Sequence, residues 1–141
     1  MTDSASVNTD KRLLLAAGQV ARLLEDNPCF LTTAESCTGG WVAQSLTAIA
    51  DSSAWFDSGL VSYFNAAKQR LLDVPEELLA PDGPGALSEA TLLAMARNSV
   101  SNTDHALISV AVSGVAGSMG CSPEKPVDTV WTLLQEAAKA I

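Results

Sequence analysis

Positive charge is scarce in this chain. Eight Lys and Arg stand against sixteen Asp and Glu, a formal net charge of −8, and no basic run occurs. A general nucleic-acid binder needs a basic face to neutralise phosphates, so that class is excluded. Histidine is scarcer still, with His105 alone. Three cysteines, Cys29, Cys37 and Cys121, are too few and too scattered for a disulfide framework, and there is no C-x-x-C pair. A protein zinc site takes about three or four ligands, so neither a metal nor another cofactor is expected. No apolar stretch approaches the roughly 20 residues that cross a bilayer. The opening "MTDSASVNTDK" is polar and acidic, unlike a secretory signal. The expectation is a cytoplasmic protein without a membrane or nucleic-acid partner. Its 141 residues, 48% of them apolar, suit a single domain spanning 1–141.

What is present alternates between two periodicities. Leu13, Leu14, Ala17, Val20, Ala21 and Leu24 recur at helical spacing over 10–25, and Asn27-Pro28 ends the pattern. Residues 29–34 form a short apolar strand, and helical character resumes from Thr38 through Leu46 and Ile49. "WFDSGLVSYF" (55–64) predicts a long strand with Gly59 as a bulge. Helical residues follow at 65–74 with Asn65 as N-cap, and again at 75–80 and 88–100, where Ser88 is the cap. "HALISVAVSG" (105–114) is almost wholly apolar, as a strand covered on both faces must be. A glycine-bearing loop, a fourth strand at 129–134 and a helical tail, "QEAAKAI", complete the chain. Strands alternating with helices predict an α/β layer fold.

In such sheets ligands gather at the carboxyl ends of the strands. Two of the predicted strands end in suitable loops, "ESCTGG" (35–40) and "SGVAGSMGCSPEKP" (113–126). Glycines let backbone N–H groups approach a ligand closely. A helix starting within a residue or two of Cys37 would aim free N–H groups and a positive dipole end at an anion. The alternative is an ordinary strand-to-helix turn capped by Ser36 or Thr38. Neither loop matches a nucleotide phosphate-loop fingerprint.

A serine attacks a carbonyl only with the help of a base. His105 opens a predicted strand at the end away from the crevice, so a Ser-His-Asp triad is poorly supported. Lysine is the other base used with serine, provided burial or a neighbouring cation lowers its pKa. Lys68 lies at the start of the helix that follows the second strand, on the crevice side, where it is either that base or a solvated surface lysine. Lys11, Lys125 and Lys139 occupy weaker settings, although Lys125 is on the second crevice loop.

"TTAESCTGGWVAQSLT", "SSAWFDSGLVSYFNAAKQRLL" and "SGVAGSMGCSPEKPVDTVW" together resemble the CinA C-terminal domain family, which includes stand-alone nicotinamide-nucleotide amidohydrolases. The resemblance runs from the first helix to Trp131. It implies a three-layer α/β/α sandwich around a mixed, mostly parallel sheet. It implies hydrolysis of the carboxamide of nicotinamide mononucleotide, a small-molecule nucleotide substrate, and association into a homo-oligomer. Ser36 matches the family nucleophile. Lys68 matches the lysine that activates it, in a "Y-x-N-x-x-K" motif with Tyr63, and these three are the catalytic candidates. On the first corner the substrate-binding candidates are Glu35, Cys37, Thr38, Gly39 and Gly40, with the amides of 37–40 as oxyanion donors. Asn65 joins them from the middle motif, and Ser113, Gly114 and Gly117 from the second loop.

The chain departs from the family pattern at Ser118-Met119-Gly120-Cys121, at Asp128, and at its end, where relatives continue through an arginine-bearing turn. The departures set two expectations against each other. One is a deamidase with a weakened hold on phosphate; the other is a shortened relative that binds or assembles without turnover. Trp41, Trp55 and Trp131 are candidates for either an interface or the core.

Overall fold

A computed structural model of the protein describes residues 4–115, 117, 123, 125–127 and 129–136. Helix α1 (Ser4–Asp26) leads to β1 (Phe30–Glu35), α2 (Trp41–Thr47), a 3-10 turn (Ser52–Ala54) and β2 (Phe56–Val61). Helices α3 (Asn65–Leu72), α4 (Glu76–Leu79) and α5 (Glu89–Ser101) precede β3 (Ala106–Gly114) and β4 (Val130–Glu136). The sheet order is β2-β1-β3-β4. β1 runs parallel to both of its neighbours, and β4 is antiparallel to β3. The alternation of periods predicts an α/β layer fold, and the mixed, mostly parallel sheet is the one the family resemblance implies.

Two apolar cores, one on each face, make the layers. On one face Ala17, Ala21 and Leu24 of α1 and Leu46 of α2 pack with Leu31 and Trp55. Their spacing within α1, four and then three residues, is the stripe a helix needs to lie on a sheet. On the other face Ala34 and Ala111 meet Leu72 of α3 and Met95 and Ala96 of α5. Trp55 is 1% exposed and belongs to the core, whereas Trp41 (50%) and Trp131 (41%) lie on the surface. Ser88 caps α5 as expected, its Oγ accepting from the Thr91 amide at 3.2 Å.

Several local expectations change. Helix α2 begins at Trp41, not near Cys37, because Gly39 and Gly40 take left-handed φ values of +62° and +101° that a helix cannot include. Phe64 rather than Asn65 is the N-cap of α3, with no side-chain cap bond. The bulge between β1 and β2 falls at Leu31/Thr32 opposite Phe56 and Ser58, so Gly59 is not its seat. Gly59 answers a different demand. A Cβ there would stand 2.9 Å from both Ala43 Cβ and Thr33 Oγ1, so its absence lets α2 lie close on the sheet. Gln135 and Glu136, assigned to a helical tail, extend β4 instead, and the remainder of that tail lies outside the described residues.

The register of this packing is testable at Gly59. Gly59→Ala forces α2 away from β2, and overpacking of this kind costs about 1–3 kcal/mol. A lowered urea midpoint at unchanged slope is the expected result; an unchanged midpoint would refute the close approach.

Candidate active site

Residues along a strand alternate between faces. At the carboxyl end of β1 this parity sends Glu35 to the α2 side and Ser36 to the α3 side. Glu35 is fully buried, and its carboxylate accepts from Val42 N (2.8 Å), Ala43 N (2.9 Å) and Thr38 Oγ1 (2.7 Å). It therefore satisfies the first amides of α2 and sits at the helix's positive end. This carboxylate is not among the cavity-lining groups described below, and the start of α2 is spent on it. Thr38, Gly39 and Gly40 form the intervening turn and likewise lie off the cavity wall.

Ser36 is fixed from behind by its amide, which donates to Val112 O at 2.9 Å. Its Oγ lies 3.0 Å from Lys68 Nζ. Lys68 reaches it because it shares the inward stripe of α3 with Leu72, four residues on. The lysine is 1% exposed, and Nζ also donates to Ser62 O at 3.0 Å and Tyr63 O at 3.1 Å. None of these three partners is a carboxylate. Burial accordingly holds the Lys68 ammonium below its ordinary value of 10.5, against a smaller upward pull from Cys37.

The charge state decides what the lysine does. An ammonium has three donors and no lone pair. A neutral amine with its two hydrogens on the Ser62 and Tyr63 carbonyls presents its lone pair to the third partner, the Ser36 hydroxyl. In that state the two carbonyls would orient the amine as a hydrogen-bond acceptor for the serine hydroxyl.

Ser36 and Lys68 open on a cavity of about 680 Å³, within the range of small-molecule sites. Tyr63 and Asn65 border it; both are exposed, and Tyr63 also contributes its backbone carbonyl to Lys68. Ser113, Gly114 and Gly117 form part of the opposite wall. A Cβ at Gly114 would fall 2.6 Å from Thr129 O and 2.9 Å from Cys37 Sγ, so that wall requires glycine. Cys37 lines the same cavity. Burial pushes its thiol up from 9.0, against the pull of the Cys37 and Thr38 amides and of Lys68, with Glu35 adding to the rise. A raised thiol pKa disfavours the thiolate, the reactive form of a cysteine. Among the described residues the Cys37 and Thr38 amides donate to no oxygen, and both face the thiol beside Ser36.

His105 stacks on Phe30 at the far end of the sheet, with ring centroids 5.7 Å apart. No three His, Cys, Asp or Glu side chains converge among the described residues as a metal site requires. No described helix is long and apolar enough to cross a membrane. The sequence undervalued one residue: Lys125, on the second loop, lines the cavity and donates to Leu87 O. Its signal was its place in a crevice loop, which spacing alone does not weigh.

The fold is that of the CinA superfamily. The crystal structure of the competence damage-inducible protein A (ComA) from Klebsiella pneumoniae subsp. pneumoniae MGH 78578 matches with a TM-score of 0.80 at 39% identity, over 88% of this chain and 75% of that one. The competence/damage inducible protein CihA from Agrobacterium tumefaciens matches with a TM-score of 0.77 at 38% identity, over 88% and 79%. The chain belongs to the CinA C-terminal domain family, whose model matches residues 15–141. Among curated relatives, the nicotinamide-nucleotide amidohydrolase PncC of Escherichia coli (strain K12) is 47% identical over 125 residues, 87% of this chain and 73% of the relative. The enzyme of the same name from Pseudomonas putida is 52% identical over 101 residues, 72% of this chain and 61% of the relative.

Because burial is the main cause of the lysine's shift, Ser36→Ala should leave it in place. Nitrogen-detected NMR of Lys68 Nζ is expected to show a midpoint below 10.5 in both proteins; a midpoint at the ordinary value would remove the basis for a neutral amine.

Proposed function

We propose that this protein hydrolyses the carboxamide of nicotinamide mononucleotide to nicotinate mononucleotide and ammonia. The observation that carries the proposal is the 3.0 Å contact between Ser36 Oγ and a buried lysine with no carboxylate partner among the described residues, opening on a cavity of small-molecule size. The relatives named nicotinamide-nucleotide amidohydrolase support the choice of substrate. A module that only binds or assembles has no use for a lysine buried beside a serine with neutral described partners, and burying an ammonium in that way is costly.

The chemistry follows from the arrangement. Ser36 Oγ attacks the carboxamide carbon while the neutral Lys68 amine takes the hydroxyl proton. The carbonyl oxygen becomes an oxyanion, for which the Cys37 and Thr38 amides are the available donors; losing one such donor typically costs on the order of 10²–10³ in turnover. Collapse breaks the C–N bond, and Lys68 returns its proton to the leaving nitrogen, which departs as ammonia. The resulting ester of Ser36 is then attacked by water, with Lys68 again taking the proton and handing it back to Ser36 Oγ. Carboxylate and free enzyme result. Tyr63 and Asn65 border the entry and position the substrate ring and ribose.

Two outcomes are expected. Ser36→Ala abolishes ammonia release while leaving the affinity for nicotinamide mononucleotide nearly unchanged, because the hydroxyl acts in the transition state. Ammonia release by purified Ser36→Ala at the wild-type rate would refute the mechanism. The pH dependence has a definite sign. Only the deprotonated amine accepts the proton, so kcat/KM rises with pH as Lys68 loses its charge and levels off below 10.5. A rate falling over that rising limb would assign the lysine an acid role instead.

A further inference from the structure

Lys68 reaches Ser36 from a short helix whose far end is tied down by another helix. α3 has eight residues, Asn65–Leu72, and no side-chain cap at its start. A helix this short is marginal alone and takes its place from tertiary contacts. Its last carbonyls have no donors within the helix. The chain turns there at Asp73, whose φ of +47° is unfavourable for any residue but glycine. The Asp73 and Val74 amides both donate to Lys68 O. The carbonyls that follow are taken by side chains of α5 and its C-cap. Asn98 Nδ2 donates to Leu72 O at 2.7 Å and to Asp73 O at 3.2 Å, and Asn102 Nδ2 donates to Leu71 O at 3.1 Å. An Asn amide nitrogen carries two hydrogens, and Asn98 gives both to the turn that ends α3. Helix α5 is itself pinned to β3, where Ser99 Oγ and Ser109 Oγ, both fully buried, lie 2.6 Å apart. Val112 O of β3 accepts the Ser36 amide at 2.9 Å. The hydrogen bonds close a ring: Ser36 to β3, β3 to α5, α5 to the end of α3, and Lys68 of α3 back to Ser36 Oγ.

We infer that Asn98 is a positioning residue for the Ser36–Lys68 pair, fixing the end of α3 so that the lysine head stays on the serine hydroxyl. The inference rests on the deamidase reading for its effect on rate, while the placement of Lys68 is a property of the fold. Asn98 is half-buried and is not on the cavity wall, so it acts through α3 and not on a substrate. Leu72 fills the apolar side of the joint against Met95 and Ala96. Such packing resists separation of the helices, but it is the directional bonds from Asn98 that fix where α3 ends along α5. Lys68 is one turn from Leu72, so a shift at that end is carried to the lysine stem. Its carbonyl partners do not move with it. Ser62 is held to β1, its amide donating to Glu35 O at 2.8 Å, and Ser62 O and Tyr63 O precede the helix. A displaced α3 therefore pulls the lysine head away from all three of its partners at once.

The test compares Asn98→Ala, Asn98→Gln and Asn102→Ala with the wild-type protein. Leu24→Ala is the control, since it opens a cavity on the opposite face of the sheet without touching α3. Urea unfolding shows that each variant is folded and ranks its stability. A merely structural Asn98 would lower the urea midpoint, as Leu24→Ala does, and leave the folded enzyme's constants alone. The positioning role predicts more. In Asn98→Ala, kcat falls about tenfold or more while KM stays within about twofold. Nitrogen-detected NMR then finds the Lys68 Nζ midpoint closer to 10.5 than in the wild type, because a displaced head is less shielded from water. Asn98→Gln, with the same amide on a longer stem, recovers part of both effects. Asn102→Ala, at an exposed position where folding is not at risk, moves both in the same direction by less. An unchanged kcat and Lys68 midpoint in the folded asparagine variants would overturn the inference, as would equal changes in Leu24→Ala. The deamidase reading fails separately. Wild-type protein that releases no ammonia from nicotinamide mononucleotide removes the reaction, and the Lys68 midpoint alone then decides whether Asn98 positions the amine.

Discussion

A buried lysine whose described partners are all neutral organises the strand-end cavity of this fold. Removing an ammonium from water costs several kcal/mol when no counter-ion follows it, and Lys68 has two carbonyls and a hydroxyl in place of a carboxylate. The cost falls if the group discards its proton, and the carbonyls of Ser62 and Tyr63 suit the two hydrogens that remain. Those carbonyls lie in the link between β2 and α3, so the geometry of a connection orients the Lys68 head. Leu72 holds the lysine in place, packed one turn further along α3 against Met95 and Ala111.

The opposite sign of charge is kept on the other side of the sheet. Glu35 and Ser36 are neighbours in sequence and occupy opposite faces by strand parity. Had the chain slipped by one residue, the carboxylate would face Lys68, and an ion pair would hold the amine charged. In the observed register the carboxylate closes the start of α2 through Val42 and Ala43, where a negative charge is favourable. The two left-handed glycines, Gly39 and Gly40, give the chain room to turn before the helix begins. This separates the start of α2, with its dipole, from Ser36.

Much of this was legible in the sequence, and the exceptions share a cause. Helix α5 with its Ser88 cap, the apolar stripe of α1 and the double-faced strand β3 follow from local periodicity, and the structure has them. The Ser36–Lys68 contact spans 32 positions; crevice topology made it a candidate, and resemblance to a family singled it out. Local rules failed where a long-range contact dominates. The helix expected to start near Cys37 starts at Trp41, because Gly39 and Gly40 are left-handed and Glu35, across the turn, accepts the Val42 and Ala43 amides. Asn65 looked like a cap, but the extended backbone at Phe64 occupies that place. Gly59 looked like a bulge and is instead the seat of Ala43, a helix neighbour 16 positions away in sequence. Lys125 was discounted because no spacing rule says which loop lysine turns inward.

The two cavity-lining lysines differ in burial and partners, not in chemistry. Lys68 is enclosed on a helix stripe, and burial works against its charge. Lys125 sits on a loop, partly exposed, and donates to Leu87 O. Glu35, the acid next to Ser36 in sequence, is turned away from Lys68 by one step of strand parity, so this carboxylate does not offset the burial of the lysine.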